Sequence, residues 1–416
     1  MRFFKMLLLG CIVATALCGH AQDRSGFDVE KATRAYLDRM TPAEKARSNA
    51  YFEGNEWLQL WSFLFEAGIA ILLLETRLSA RMRDQAQRLS RFKPVQSLLY
   101  GMQFILLMTL LAFPLDAYAD FFREHQYGMS NQHFGGWMHD HLIELLVNLV
   151  VGSLLLMALF GVVRRLRNTW HVWGAVVSVT FMIIFVTLGP VYIAPLLNKY
   201  TLLSDPKVVD PILHLARANG IQSDKVYEMD ASKQTKRVSA NVSGFLGTTR
   251  ITLNDNLINR CTLPEVEAVM AHEMGHYVLN HAFKIILFFS ILFVVGFVWL
   301  RFACLGLLRR FGARWRIAGI DDLAVTPLAI LAFSAYLFIL TPLTNTFIRS
   351  IEMEADMFGL NAARQPDGFA EAALKLGEYR KMEPGPVEEW IFFDHPSGAT
   401  RIRTAMRWKA DNLPSP

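Results

Sequence analysis

PEVEAVMAHEMGHYVLNHAFKIILFFSILFVVGFVWL, residues 264–300, joins a polar, charged half to an almost wholly apolar one. Its first half reads as a helix: Pro264 stands in the first turn and acidic Glu265 and Glu267 follow it. Val266, Val269 and Met270 give that helix an apolar face. Its second half, 282–300, is apolar over close to the roughly 20 residues that a helix needs to cross hydrocarbon. A polar motif, His272-Glu273-Met274-Gly275-His276, therefore sits just ahead of a membrane segment, where charge without a purpose is costly.

Working outward, comparable apolar segments lie at 57–76, 98–118, 141–163, 171–196 and 323–345, which makes six in all. The chain of 416 residues is 53% hydrophobic and 19% charged, poorer in charge than a soluble globular protein. The basic residues sit in alternate loops: Arg77, Arg81, Arg83, Arg88, Arg91 and Lys93 after the first segment, Arg164, Arg165 and Arg167 after the third, and Arg301, Arg309, Arg310, Arg314 and Arg316 after the fifth. The opposite loop at 119–140 holds only Arg123. Short basic loops stay in the cytoplasm, so residues 197–281 and the C-terminal region fall on the other side. This pattern, with a net charge of +5, speaks for membrane orientation and against nucleic acid as a partner.

The N-terminus, Met1 to Lys5 followed by an apolar run and Gly19-His20-Ala21-Gln22, reads as a signal peptide or a first membrane helix over 1–21. Residues 22–196 then hold a polar, amphipathic lead-in and the N-terminal membrane helices. Residues 197–281 read as a small soluble module: a helix at Lys207–Ala218, strands at Lys225–Met229 and Arg250–Leu253, and the motif helix. Two further membrane helices occupy 282–345. A C-terminal soluble part fills 346–416, continuing the last membrane segment as a helix, adding another at Asp367–Met382, and ending in a basic, polar tail. Cys11, Cys18, Cys261 and Cys304 show no zinc-cluster spacing, and Cys261 has no disulfide partner in the soluble region.

His272 and His276 are four residues apart, so both imidazoles point from one helix face towards a single metal. Two imidazoles suit zinc, and a catalytic zinc takes a third protein ligand and keeps a position for water. Glu273 is placed to take a proton from that water. The third ligand is sought on another helix, within Arg349-Ser-Ile-Glu352-Met-Glu354-Ala355-Asp356. Glu352 is the strongest candidate and Glu354 its rival; Asp356, one turn on, is placed to fix the tautomer of a ligand histidine, and Arg349 to hold the Glu352 carboxylate. The plainer reading of these acids is a solvated helix end.

The sequence resembles the integral-membrane zinc peptidases of the CAAX prenyl protease type I family over about residues 57–408. The likeness rests on Phe113-Pro114-Leu115, Glu124-His-Gln-Tyr-Gly128, Pro190-Val-Tyr-Ile-Ala-Pro195, Asn198-Lys199-Tyr200, the two motifs above, Asp394-His395-Pro396 and Arg401-Ile402. It implies a mainly α-helical membrane protein, about seven membrane helices around a water-filled chamber, with a small α+β zincin-like catalytic domain. It also implies one zinc ion per chain on His272, His276 and Glu352, Glu273 as general base, and His395 steadying the oxyanion. By sequence alone His395 reads equally as an ordinary loop histidine.

Two departures bear on function. Where the family's edge strand carries an Asn-Ala pair before an aromatic and a Gly, this chain reads Val238-Ser239-Ala240-Asn241-Val242-Ser243-Gly244, so substrate contacts are assigned to Ser239, Ala240 and Asn241. Eukaryotic members of the family face the cytosol with their catalytic domain, whereas the charge asymmetry here points outward and counts against prenylated tails. The expectation is a multi-pass protein of a bacterial inner membrane, active on its non-cytoplasmic side, with peptide or protein substrates and membrane lipid as partners and no obligate protein partner. A quality-control protease without prenyl specificity and a non-catalytic lipid- or peptide-binding chamber are the alternatives. His139, Asp140, His141 and Glu144 read as either a second metal site or an interfacial polar cap.

Overall fold

The computed structural model describes residues 27–244 and 249–413; the proposed signal peptide or first helix at 1–21 lies outside them. Among the described residues, five helices are long and apolar enough to cross a membrane: Pro42–Glu75, Lys93–Gln126, Phe134–Arg165, Trp170–Leu197 and His281–Trp315. Leu323–Ile339 and Thr341–Ala363 together make up to a sixth crossing, bent by 56°. The sequence expectation ran the last apolar segment straight into residues 346–365; instead a new helix begins at Thr341. Pro342 has no amide hydrogen to give the preceding turn and crowds it, so the helix breaks there. Apolar side chains such as Leu106, Leu110, Leu146, Ile291, Val294 and Phe302 stand bare on the crossing helices, as lipid-facing rows do.

The membrane helices share a core around Leu73, Tyr100, Phe104, Phe297 and Leu328. Above it lies a small open sheet of four strands: β1 (Tyr200–Leu202), β2 (Val226–Met229), β3 (Ala240–Ser243) and β4 (Arg250–Asn254), in the order β1-β2-β4-β3. β2 and β4 run parallel; β3 pairs antiparallel with β4, Ala240 opposite Leu253, and leaves its other edge unpaired within the sheet. Ile251 and Leu253 of β4 point into a core shared with Ile212 and Leu213 of the helix Pro206–Ala218 and with Val266, Met270 and Met274 of the motif helix, Leu263–Val278. This core holds the motif helix beneath the sheet.

A third core explains the two polar-looking chain ends. The lead-in forms a helix, Val29–Leu37, whose Leu37 packs with Phe369, Ile402, Met406 and Trp408. The tail from Asp394, read as merely basic and polar, contains the helix Gly398–Asn412, and a further short helix, Pro386–Phe392, precedes it. The helix read as Asp367–Met382 is Pro366–Leu376.

Candidate metal centre

The motif helix starts on a capping box: Thr262 and Glu265 bond reciprocally, and Lys375 Nζ donates to Glu265 at 2.8 Å. About two turns beyond Glu265, His272 and His276 project from one face with their Nε2 atoms 3.1 Å apart. Thr341–Ala363 lies against that face and supplies Glu352, whose Oε2 is 3.2 Å from His272 Nε2 and whose Oε1 is 3.5 Å from His276 Nε2. Ligand atoms of the three residues all fall within 4.8 Å of one another, and among the described residues no other such trio occurs. Glu352 Oε2 is shielded from solvent yet accepts no hydrogen bond. Two imidazole lone pairs and an unsatisfied buried carboxylate oxygen aimed at one point form a donor set that a cation fits.

Two glycines let the helices approach closely enough. A Cβ at Gly359 would stand 3.0 Å from the His272 backbone nitrogen, and one at Gly275 would meet the Phe358 side chain at 3.1 Å. The backbone cannot give way as a ring can. Gly359→Ala is therefore expected to cost about 1–3 kcal/mol through overpacking, with Gly275→Ala costing less. Thermal unfolding of the two variants checks this; equal midpoints would show that the contact is relaxed freely.

The far nitrogens of both histidines are engaged. His272 Nδ1 lies 2.8 Å from Asp356 Oδ1, and Arg401 grips Asp356 with Nε at 3.0 Å and Nη2 at 2.5 Å. Burial works against charge on His272, but Asp356 and Glu352 more than offset it and push its pKa up to about 9. A metal must displace that proton, so affinity falls as pH drops below this value. His276 Nδ1 is 2.9 Å from Nδ1 of buried His281, whose Nε2 is 3.2 Å from Glu354 Oε2; Lys284 bonds the same oxygen. Glu354, the rival ligand, thus points along this chain and away from the trio.

Beside the trio, reaching it at His272, is a cleft of about 240 Å³ whose lining includes Ser239, Ala240, Glu273, Arg380 and His395. The Glu273 carboxyl is raised above its ordinary pKa by burial, with the two imidazoles pulling it down less strongly. His395 Nε2 reaches within 3.3 Å of Glu352 Oε2, and its Nδ1 is 2.8 Å from Asp394 Oδ1. Asn241 does not line the cleft; it lines a neighbouring groove beside Phe185, Pro190 and Ile193 of a membrane helix, which Ser239 and Ala240 border as well.

Arg349 does not hold Glu352. It donates to the carbonyls of Glu389 and Phe393 and to Thr346 Oγ1, because the helix Pro386–Phe392 packs beside it, and so braces the segment carrying His395. Asp140 accepts from Gln132 and Gln234, at 2.5 and 2.8 Å, while His141 packs on Phe113 and Trp137. That cluster is a tie between a membrane helix and the soluble part. The sequence reading overlooked His281, the partnership of Arg401 with Asp356, and Arg380. The first had a visible signal: a histidine five residues beyond the motif, where a membrane helix begins.

A model described as peptidase family M48 matches residues 203–409, and one described as the CAAX prenyl protease N-terminal region, with five membrane helices, matches 29–199. An uncharacterized metalloprotease, YhfN, of Bacillus subtilis is 26% identical over 90% of this chain and 89% of its own. The human CAAX prenyl protease 1 homolog is 25% identical over 87% and 86%, respectively. In fold, the chain is similar to the crystal structure of S. mikatae Ste24p, with a TM-score of 0.75 at 21% identity, covering 91% of this chain and 94% of that one. Matched along almost its whole described length, and carrying a His-His-Glu cluster at its centre, the chain belongs to peptidase family M48 and is a multi-pass membrane metallopeptidase with the N-terminal region of the CAAX prenyl proteases.

Proposed function

We propose that the metal is zinc, one ion on His272, His276 and Glu352, and that the protein hydrolyses extended peptides or protein segments at a membrane surface away from the cytoplasm. The convergence of the two Nε2 atoms and the unsatisfied Glu352 oxygen carries this reading. Bound zinc supplies Lewis acidity, polarising a carbonyl and making water acidic enough to lose a proton near neutral pH. Glu273, in the cleft wall, takes that proton and returns one to the leaving amine. The raised carboxyl suits it to both transfers. His395 donates towards the developing oxyanion, oriented by Asp394. Asp356 with Arg401, and His281 with Glu354, hold the ligand imidazoles in the tautomer that leaves Nε2 free.

The outer edge of β3 offers backbone groups to an extended chain, so strand addition beside Ser239 and Ala240 aligns the peptide across the cleft. The reading divides the catalytic machinery between residues 197–281 and 346–416. It counts the bent pair as a sixth crossing and, from the sequence alone, a first membrane helix over 1–21 as the seventh, in a ring around a chamber. The reading places the protein in a bacterial inner membrane, and the basic loops support a site on the outer side. Quality control of membrane or envelope proteins fits that side better than processing of prenylated tails does.

The full chain in detergent should hydrolyse an unprenylated peptide, stop on chelation and recover with Zn²⁺. Hydrolysis indifferent to chelation would sink the metal-centred reading. A reporter fused at the C-terminus, silent in the cytoplasm and active outside it, checks the orientation.

A further inference from the structure

Apart from Glu273, the proposed base, Arg380 is the one charged residue lining the cleft that has no ion-pair partner among the described residues. The other charges around the trio are paired: Asp356 with Arg401, Asp394 with His395, Glu352 with the histidines. Arg380 follows Tyr379 just after the helix Pro366–Leu376 and lines the same cleft as His272, Glu273 and His395. Its Nη1 is shielded from solvent and has no hydrogen-bond partner, and among the described residues no carboxylate lies within 4.0 Å of its guanidinium. Burial and the neighbouring Arg401 both disfavour its charge, and the fields of Asp394 and Glu352 reach it only from beyond contact.

Leaving a guanidinium half-buried and unpaired is destabilising, because a desolvated charge without a partner loses several kcal/mol of hydration. Arginine does not shed its proton to escape that cost. A fold keeps such a group where something else completes it. The cleft that Arg380 lines is the one where, on this reading, the peptide lies, and the planar fork of a guanidinium matches one ligand class above others, a carboxylate taken by two parallel hydrogen bonds.

We propose that Arg380 is a carboxylate-binding subsite of the peptidase cleft, so that the bound peptide places an anion on its guanidinium. This inference rests on the peptidase reading. The carboxylate has two sources, the free C-terminus of the peptide or an Asp or Glu side chain beside the scissile bond. In the first case the enzyme trims chain ends; in the second it cuts within chains at an acidic position.

The test uses the full chain in detergent and a short fluorescent peptide made as C-terminal acid and C-terminal amide, and then, with the end amidated, carrying Asp or Asn at successive positions. Binding is measured on chelator-stripped protein by fluorescence anisotropy, and hydrolysis on the zinc-loaded protein. Wild type should prefer one anionic peptide over its neutral twin by roughly tenfold or more, the scale of a charge-assisted pair. Arg380→Gln should bring that ratio close to one, Arg380→Lys should keep part of it, and the Gln variant should melt no lower than wild type, since it relieves an unpaired charge. Preference for the acid over the amide names the C-terminus as the source; preference for Asp over Asn names the side chain. Equal binding of every neutral and anionic pair by wild type, or a preference that survives in Arg380→Gln, overturns the subsite. A preference in binding with no hydrolysis of any peptide would leave the subsite standing and remove the peptidase reading instead.

Discussion

Glu273→Gln should cut peptide hydrolysis by about 10²–10⁴-fold while the metal stays bound, the loss typical of a missing general base. The substitution keeps the size of the side chain and its place in the cleft wall beside His272. It removes only the ability to accept a proton. Because the trio of His272, His276 and Glu352 does not include Glu273, metal content should match wild type. Metal analysis and turnover must be read together. Full turnover would reject the base assignment, and loss of metal along with turnover would move Glu273 into the ligand set.

His281→Ala should weaken metal binding by roughly 10–100-fold, as removal of a group behind a metal ligand does. His276 keeps Nε2 free only while its Nδ1 carries the hydrogen. Nδ1 of His281, 2.9 Å away, accepts that hydrogen, and Glu354 fixes His281 from its other side. Alanine leaves His276 free to turn or to change tautomer. His281→Gln offers an amide oxygen to the same hydrogen and should recover part of the affinity. Competition with a chelator gives the affinities, and the absorption of the cobalt-substituted protein reports the ligand geometry. A lowered melting temperature with unchanged affinity and spectrum would reduce His281 to packing.

These two side chains mark the boundary of what the sequence could say. The convergence of His272 and His276 next to Glu273 was legible because spacing along one helix is a local property: i and i+4 share a face whatever surrounds them. The six apolar segments were legible for a similar reason, since the length and composition of a run suffice to suit it to hydrocarbon. Glu352 followed from its neighbourhood of acids one turn apart. Arg349 was misplaced because nothing in its own helix announces Pro386–Phe392, whose carbonyls draw it away from Glu352. The bend before Pro342 was written in the sequence but masked by apolar residues on both sides. The pairing of Arg401 with Asp356 joins residues that only the third dimension brings together. The lead-in helix and the tail helix each look too polar to fold alone, and each supplies the surface that the other buries.

That last arrangement governs when the enzyme comes into being. His395 and Arg401 follow every other residue of the metal centre in the sequence, and the helix that carries Arg401 seats against Val29–Leu37, which precedes them all. A nascent polypeptide that has not yet reached Arg401 lacks the group that grips Asp356, so the site is finished only once that helix docks. The membrane under construction is spared a half-built protease.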